Sequence, residues 1–297
     1  MRRDDRYPAQ TALLGSLWGR AQLWRLIAGL GLIGVVTFGL MILFRGVLGA
    51  VTPPGWLAAL PQGETPGAVL ALLGGFAFVI LGVAVAARLL QARRLTSITG
   101  PWPLFWAQFR RVLLYLFLLM VVLALLPPYG TGEDPLVPNL PFSRWLALLP
   151  LAITALLIQT GAEELLFRGY IQQSLAARFR SPLVFLLVPS AVFALGHYLP
   201  AEAGDNAGLV ALWAGVFGLF MADLTARAGS LGPAVAVHFF NNLFALVLIA
   251  SPSSLNGLAL YLQPFELSDV EAVRPWLIID FAMMAISWLV ARLAIRR

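Results

Sequence analysis

The chain has 297 residues, 60% of them hydrophobic and only 11% charged, with a mean hydropathy of +0.85. That balance excludes an ordinary soluble domain and points to an all-α, polytopic membrane protein. All 20 basic residues are arginine, the formal charge is +6, and the absence of cysteine excludes disulfides and thiol catalysis.

Met1 to Gln22 is arginine-rich and mixed in polarity, and the apolar run behind it lacks a small-residue cleavage site, so it reads as a retained first span and not a signal peptide. Spans are then expected at about Leu26 to Leu43, Ala68 to Ala87, Val112 to Leu126, Trp145 through Glu163 and Glu164, Leu183 to His197, Ala207 to Thr225, Leu231 to Ala250, and Trp276 to Ile295. Most are near the roughly 20 residues that a hydrocarbon core requires, and they make about eight transmembrane helices. Proline and glycine mark the non-cytoplasmic turns at Pro53-Pro54-Gly55, from Pro127 and Pro128 to Pro141, and at Ser251-Pro252. Trp18, Trp24, Trp56, Trp102, Trp106, Trp145 and Trp276 lie near span ends, as interfacial anchors do. Gly29, Gly31, Gly34, Gly74 and Gly75 suggest close helix packing.

Charge asymmetry orients the alternation. Arg2, Arg3, Arg6, Arg20 and Arg25, then Arg88, Arg93, Arg94, Arg110 and Arg111, then Arg168, Arg178 and Arg180, then Arg227, then Arg292, Arg296 and Arg297 all fall on one side. Glu64, Glu133, Asp134, Glu202, Asp205, Glu266, Asp269 and Glu271 fall on the other. By the positive-inside rule both termini are cytoplasmic. The basic balance therefore reflects cytoplasmic loops facing anionic headgroups of the lipid bilayer, and no motif supports nucleic-acid binding.

The fourth span carries the most informative stretch, Thr160 to Tyr170, in which Glu163 and Glu164 are followed by Arg168. An ionised side chain at mid-bilayer costs roughly 2.5 to 3.5 kcal/mol on insertion scales, so two in a row need a reason. Glu164 and Arg168 are four residues apart and share a helix face, which suits a neutralising, supporting ion pair. Glu163 points about 100° away with no partner within a turn. A carboxylate in poorly solvated surroundings takes up a proton more readily, the property a general base near neutral pH requires. Glu163 is therefore the candidate for chemistry.

The only two histidines, His197 and His238, both occur in spans, and Asn242 shares the face of His238 four residues on, with Asn241 less directly placed. Glu163-Glu164-x-x-x-Arg168, Phe193-x-x-x-His197 and His238-x-x-x-Asn242, in that order on three spans, resemble the three motifs of the CPBP intramembrane proteases. That family includes the CAAX prenyl endopeptidases of the Rce1 type and bacteriocin-processing and immunity proteins. The resemblance implies that Glu163 and His197 activate the attacking water while His238 and Asn242 hold the oxyanion, with Glu164 and Arg168 in support. It also admits a zinc ion on Glu163, His197 and His238, although Asn242 suits a metal-free oxyanion donor better than a zinc ligand. On this basis the chain divides into a cytoplasmic segment (1–22), three spans without a catalytic motif (23–143), a CPBP-like core (144–250), and a loop with the last span (251–297). The expected partner is a peptide or membrane-protein substrate, in a cell membrane of prokaryotic type.

Helical rise adds a geometric expectation. Arg180 is 17 residues from both Glu163 and His197, which places both about 25 Å from a turn there, whereas His238 is nine residues, about 13 Å, past Gly229. For the three to meet, the first hairpin must protrude about 12 Å further into the cytoplasm than the second. Asp223 precedes Arg227 by one turn and reads as a local ion pair, while Asp280 has no local partner. Two other functions compete: an ion- or proton-coupled transporter using Glu163, Asp223, Asp280 and the histidines, and a noncatalytic immunity- or chaperone-type membrane protein on the same scaffold.

Overall fold

The computed structural model describes residues 7–127 and 135–296. Arg2, Arg3, Arg6 and Arg297, together with Pro128, Glu133 and Asp134, lie outside the described residues.

Among the described residues the fold is all-α apart from three two-residue strands. A short helix α1, Pro8–Leu14, precedes α2, Leu23–Val51. Then follow α3, Pro66–Gln91; α4, Trp102–Leu125; α5, Phe142–Arg178; α6, Pro182–Gly196; α7, Ala207–Ala228; α8, Gly232–Leu248; and α9, Val270–Ile295. By length and composition α2, α3, α4, α5, α9 and the run Pro200–Ala228 that ends in α7 are each able to cross a membrane. The shorter apolar helices α6 and α8 rise only about 22 and 26 Å, less than a hydrocarbon core of roughly 30 Å. The chain is thus a multi-pass membrane protein with six span-length helices among the described residues. Large apolar side chains stay on the outside: Val35, Phe38, Ile42, Leu195 and Ile278 are each at least 70% exposed, a cost in water and none in lipid.

The helices begin and break for local reasons. Thr65 caps α3 by accepting from the Ala68 amide at 3.3 Å, with Pro66 preset in the first turn. The helix is interrupted at Phe76, whose amide bonds back to Leu73, just after Gly74 and Gly75. Asp269 caps α9 by accepting from the amides of Glu271 and Ala272. Gly229, at φ 71°, lets α7 end in the left-handed region and turn tightly into α8.

Packing puts the core between α5 and α8. The helix α8 lies against α4, α5 and α7, α6 packs on α7, α2 packs on α3, and α9 packs on α4 and α7. Leu156, Phe193, Phe217, Met221 and Ala236 are buried among them. Beyond the end of α8, β1 (Val137–Pro138), β2 (Ile249–Ala250) and β3 (Tyr261–Leu262) form a small sheet in the order β1-β3-β2, antiparallel then parallel. It ties the approach to α5 to the exit from α8.

Of the five glycines expected to mark close packing, two do so. A Cβ on Gly29 would collide with the Tyr170 hydroxyl, and one on Gly75 would stand 2.8 Å from the Met41 methyl. Around Gly31, Gly34 and Gly74 nothing lies within 4 Å, because these faces of their helices point outward. Gly82 is a contact the pattern did not single out, for a Cβ there would stand 3.0 Å from the Ile33 carbonyl oxygen.

Candidate active site

The helix α5 places its polar side chains inward for about two turns before changing pitch. Gln159, Thr160 and Glu164 are buried, and directly after Glu164 the backbone widens into a π-helical stretch, Leu165–Ile171. Such stretches recur at functional sites because they rephase the side chains that follow. Within the stretch Arg168 turns back to Glu164, with Nη1 donating to Oε1 at 2.9 Å and side-chain exposures of only 1% and 0%. The second Arg168 nitrogen, Nη2, donates to the Gly218 carbonyl at 3.1 Å, and its guanidinium lies over the Phe193 ring at 4.8 Å. A side chain at position 218 would press on Ser190 and on Nη2 itself, so a glycine there lets the carbonyl approach.

Two rungs join α5 to α8. In the first, His238 sets Nδ1 2.8 Å from Glu164 Oε1 and Nε2 3.5 Å from Glu163 Oε2. A carboxylate accepts, so Nδ1 carries the proton in that bond and its partner fixes the ring. In the second, Asn242 Nδ2 donates to Gln159 Oε1 at 2.9 Å. Positions rise on one helix as they fall on the other, so α5 and α8 run antiparallel, with the rungs four residues apart on α8 and five on α5. Levels that were about 12 Å apart by counting residues from their turns coincide here, since Glu163 and His238 are in contact.

His197 caps the end of α6, outside those rungs. Its Nδ1 is 2.9 Å from the Phe193 carbonyl, which can only accept, so Nδ1 holds the proton and Nε2 keeps its lone pair. Both imidazoles pack on the Phe193 ring, at centroid distances of 4.3 Å for His197 and 6.2 Å for His238. They are therefore no farther apart than those two lengths laid end to end. The imidazole beside both carboxylates is His238, which the resemblance had assigned to the oxyanion and not to the pairing of Glu163 with His197. Phe217 closes the other side of His238 at 5.1 Å.

Two carboxylate oxygens stay unsatisfied. Glu163 Oε2 and Glu164 Oε2 are buried without a hydrogen-bond partner, and the Glu163 side chain is still 14% exposed. Buried acceptors in native proteins are ordinarily paired, so two orphans on adjacent residues indicate a place where another donor enters. Asn242 has similar spare capacity: one amide hydrogen goes to Gln159, its Oδ1 accepts from Asn241, and the second hydrogen remains. The donors proposed for zinc do not converge, for among the described residues no three His, Asp or Glu side chains share a metal-sized point. The placed residues do not fit that ion.

The remaining acids behave differently. Asp223 pairs with Arg227 as expected, with Nε 2.8 and 2.9 Å from its two oxygens, and it also accepts from the Tyr7 hydroxyl and the Trp288 indole. Asp280 is on the exposed side of α9 and takes no part in these contacts. Gln159, which the motifs did not include, was visible only as the residue one turn before Glu163.

The family described as Rce1-like, type II CAAX prenyl endopeptidase Rce1-like, matches residues 144–244. The uncharacterized protein YyaK of Bacillus subtilis (strain 168) is 29% identical over 187 residues, which cover 61% of this chain and 61% of that protein. The chain thus spans about three fifths of that relative's length. No solved structure matches significantly. The family resemblance is shown over the segment that holds all three motifs.

Proposed function

With residues 144–244 placed in the Rce1-like family, we propose that the chain is an intramembrane endopeptidase hydrolysing peptide bonds near the cytoplasmic membrane face. The observation that carries this is the first rung: one imidazole fixed by a buried carboxylate and arginine, with its other nitrogen toward a second, unsatisfied carboxylate.

Glu163 and His197 Nε2 take hold of a water on the accessible side of the rung. As the water oxygen bonds to the scissile carbonyl carbon, its proton passes to Glu163. The carbonyl oxygen, now an anion, accepts from the free Asn242 amide hydrogen and from His238 Nε2, which donates in the doubly protonated ring that Glu164 and Glu163 flank. The resting separation of 3.5 Å between His238 and Glu163 is long for a hydrogen bond, so little is lost when that oxygen intervenes. Collapse then breaks the C–N bond, and the Glu163 proton goes to the leaving nitrogen. Glu164 and Arg168 orient His238, as carboxylates commonly do for functional imidazoles. Removing one oxyanion donor typically costs about 100- to 1,000-fold in rate. The mechanism is metal-free, in keeping with the spread of the three candidate zinc donors.

Eight crossings with both termini cytoplasmic complete the proposal, and the antiparallel rungs between α5 and α8 support that alternation. The catalytic core then occupies residues 144–250 of a prokaryotic plasma-membrane protein. A transporter would need mobile acids, yet Glu164 and Asp223 are each bound to an arginine four residues away. The test is to reconstitute the chain in liposomes with a prenylated peptide, a bacteriocin-leader peptide and an unrelated membrane peptide. A new carboxyl terminus seen by mass spectrometry, insensitive to chelator, is expected; proton flux without cleavage of any peptide would overturn the proposal.

A further inference from the structure

Away from the carboxylates of the site, Arg93 is buried with no counter-ion among the described residues. Arg93 follows α3 through Ala92, whose left-handed φ of 52° turns the chain inward, and Arg93 is only 2% exposed. Its Nε donates to the Ser97 hydroxyl, and Nη2 donates to the Leu13 and Ser97 carbonyls and to Gln173 Oε1. Its Nη1 is buried with no partner. Burial pushes the guanidinium down to about 10, and among the described residues no carboxylate offsets that penalty, in contrast to Arg168 with Glu164 beside it. A buried, uncompensated cation is costly, and carbonyl acceptors do not cancel its charge.

A cavity of about 260 Å³ adjoins it, lined by Arg93 together with Ala12, Thr96, Ser97, Gly100 and Pro101. Thr96 and Ser97 are exposed and bring hydroxyl groups to the same wall. The cavity lies between the end of α1 and the connection from α3 to α4, in a part of the sequence where Arg20, Arg25, Arg88, Arg94, Arg110 and Arg111 cluster. That is the level of the lipid headgroups on the arginine-rich side, where the abundant anion is a phosphodiester. A guanidinium fork matches phosphate oxygens in geometry as well as charge.

We propose that this cavity binds a phosphate group, with the Arg93 guanidinium supplying the charge and the Thr96 hydroxyl donating to one oxygen, while Ser97, whose hydroxyl donates to the Arg94 carbonyl, holds Arg93 in place. The chemistry is shared by an anionic lipid headgroup and by free phosphate, and the experiment separates them. Thermal unfolding of the full chain in a nonionic detergent is followed against inorganic phosphate, short-chain phosphatidylglycerol, short-chain phosphatidylcholine, and chloride at matched ionic strength. A saturable rise in Tm of about 3 °C or more is expected with at least one phosphate probe and not with chloride. A rise with phosphatidylglycerol alone assigns the site to an anionic headgroup, and a rise with inorganic phosphate assigns it to the free ion. Ala12→Asp, at an exposed position on the cavity wall, is expected to raise the half-saturating concentration at least about tenfold by placing a like charge against the ligand. It leaves the buried contacts of Arg93 untouched, so it decides the matter if Arg93→Gln fails to fold. No saturable rise with any phosphate probe, or an equal rise in Ala12→Asp, would overturn the proposal.

Discussion

Two acid–arginine pairs, built on the same four-residue helical spacing, sit in this molecule and do different things. Glu164 and Arg168 are sealed, with side-chain exposures of 0% and 1%, and next to them stand an imidazole and a carboxylate with a free oxygen. Asp223 and Arg227 are 11% and 28% exposed, and both Asp223 oxygens are fully engaged by Arg227, Tyr7 and Trp288. An acid and an arginine one turn apart therefore do not mark a site by themselves. What distinguishes the first pair is unfinished hydrogen bonding on the neighbouring residue, where a water and a peptide can enter.

The sharpest way to test that contrast is to remove the arginine from each pair. Arg168→Ala leaves Glu164 buried and uncompensated, and is expected to cost about 3 to 5 kcal/mol of stability together with activity. Arg227→Ala leaves the buried Asp223 its Tyr7 and Trp288 donors, and is expected to cost less, about 2 kcal/mol, and to leave cleavage intact. Denaturation in mixed micelles reads both; equal losses would erase the distinction between the two regions.

Next in size is a pair of rate effects. Asn242→Ala should lower kcat about 100- to 1,000-fold, measured on any peptide the protein cleaves. Trp288→Phe, which deletes a donor to Asp223, should leave kcat within about twofold, since nothing in the second region touches a reacting atom. A comparable fall in both would mean that the Asp223 cluster belongs to the site.

The smallest effect concerns Tyr7. Burial first, and then the hydrogen bond to Asp223, raise its hydroxyl above the ordinary value of 10.0. A raised value means the protonated form is favoured in the fold, so the contribution is fully present below pH 10.0 and is lost as pH climbs through the folded value. Tyr7→Phe is accordingly expected to lose about 1 kcal/mol at pH 7. The gap to wild type should close above pH 10.0, with peptide cleavage unchanged at neutral pH. Denaturation curves at the two pH values check the sign.

How much of this could be read beforehand depends on distance along the chain. The Glu164–Arg168 and Asp223–Arg227 pairs lie within one helical turn, and the period of the helix exposes them directly. Span positions also followed from apolar runs, although α2 extends to Val51 and α4 starts at Trp102, because turn and interface residues join a helix without adding hydropathy. Partners drawn from other elements were not legible. Gln159 meets Asn242 across 83 positions and Tyr7 meets Asp223 across 216, and no local pattern encodes either. The coupling of His238 to both carboxylates was hidden for the same reason, since the π-helical stretch and the antiparallel course of α8 decide which imidazole arrives there. Gly31, Gly34 and Gly74 show the converse, a plausible small-residue pattern turned toward open space.

The central claim is that Glu163, the carboxylate with the unsatisfied oxygen, takes the proton of the attacking water. Glu163→Gln keeps the shape of the side chain and its contact with α8 while removing the base. Initial rates of membrane-peptide cleavage by wild type and Glu163→Gln at equal folded concentration are predicted to differ by at least about a hundredfold, with peptide binding unchanged. Equal rates would contradict the account.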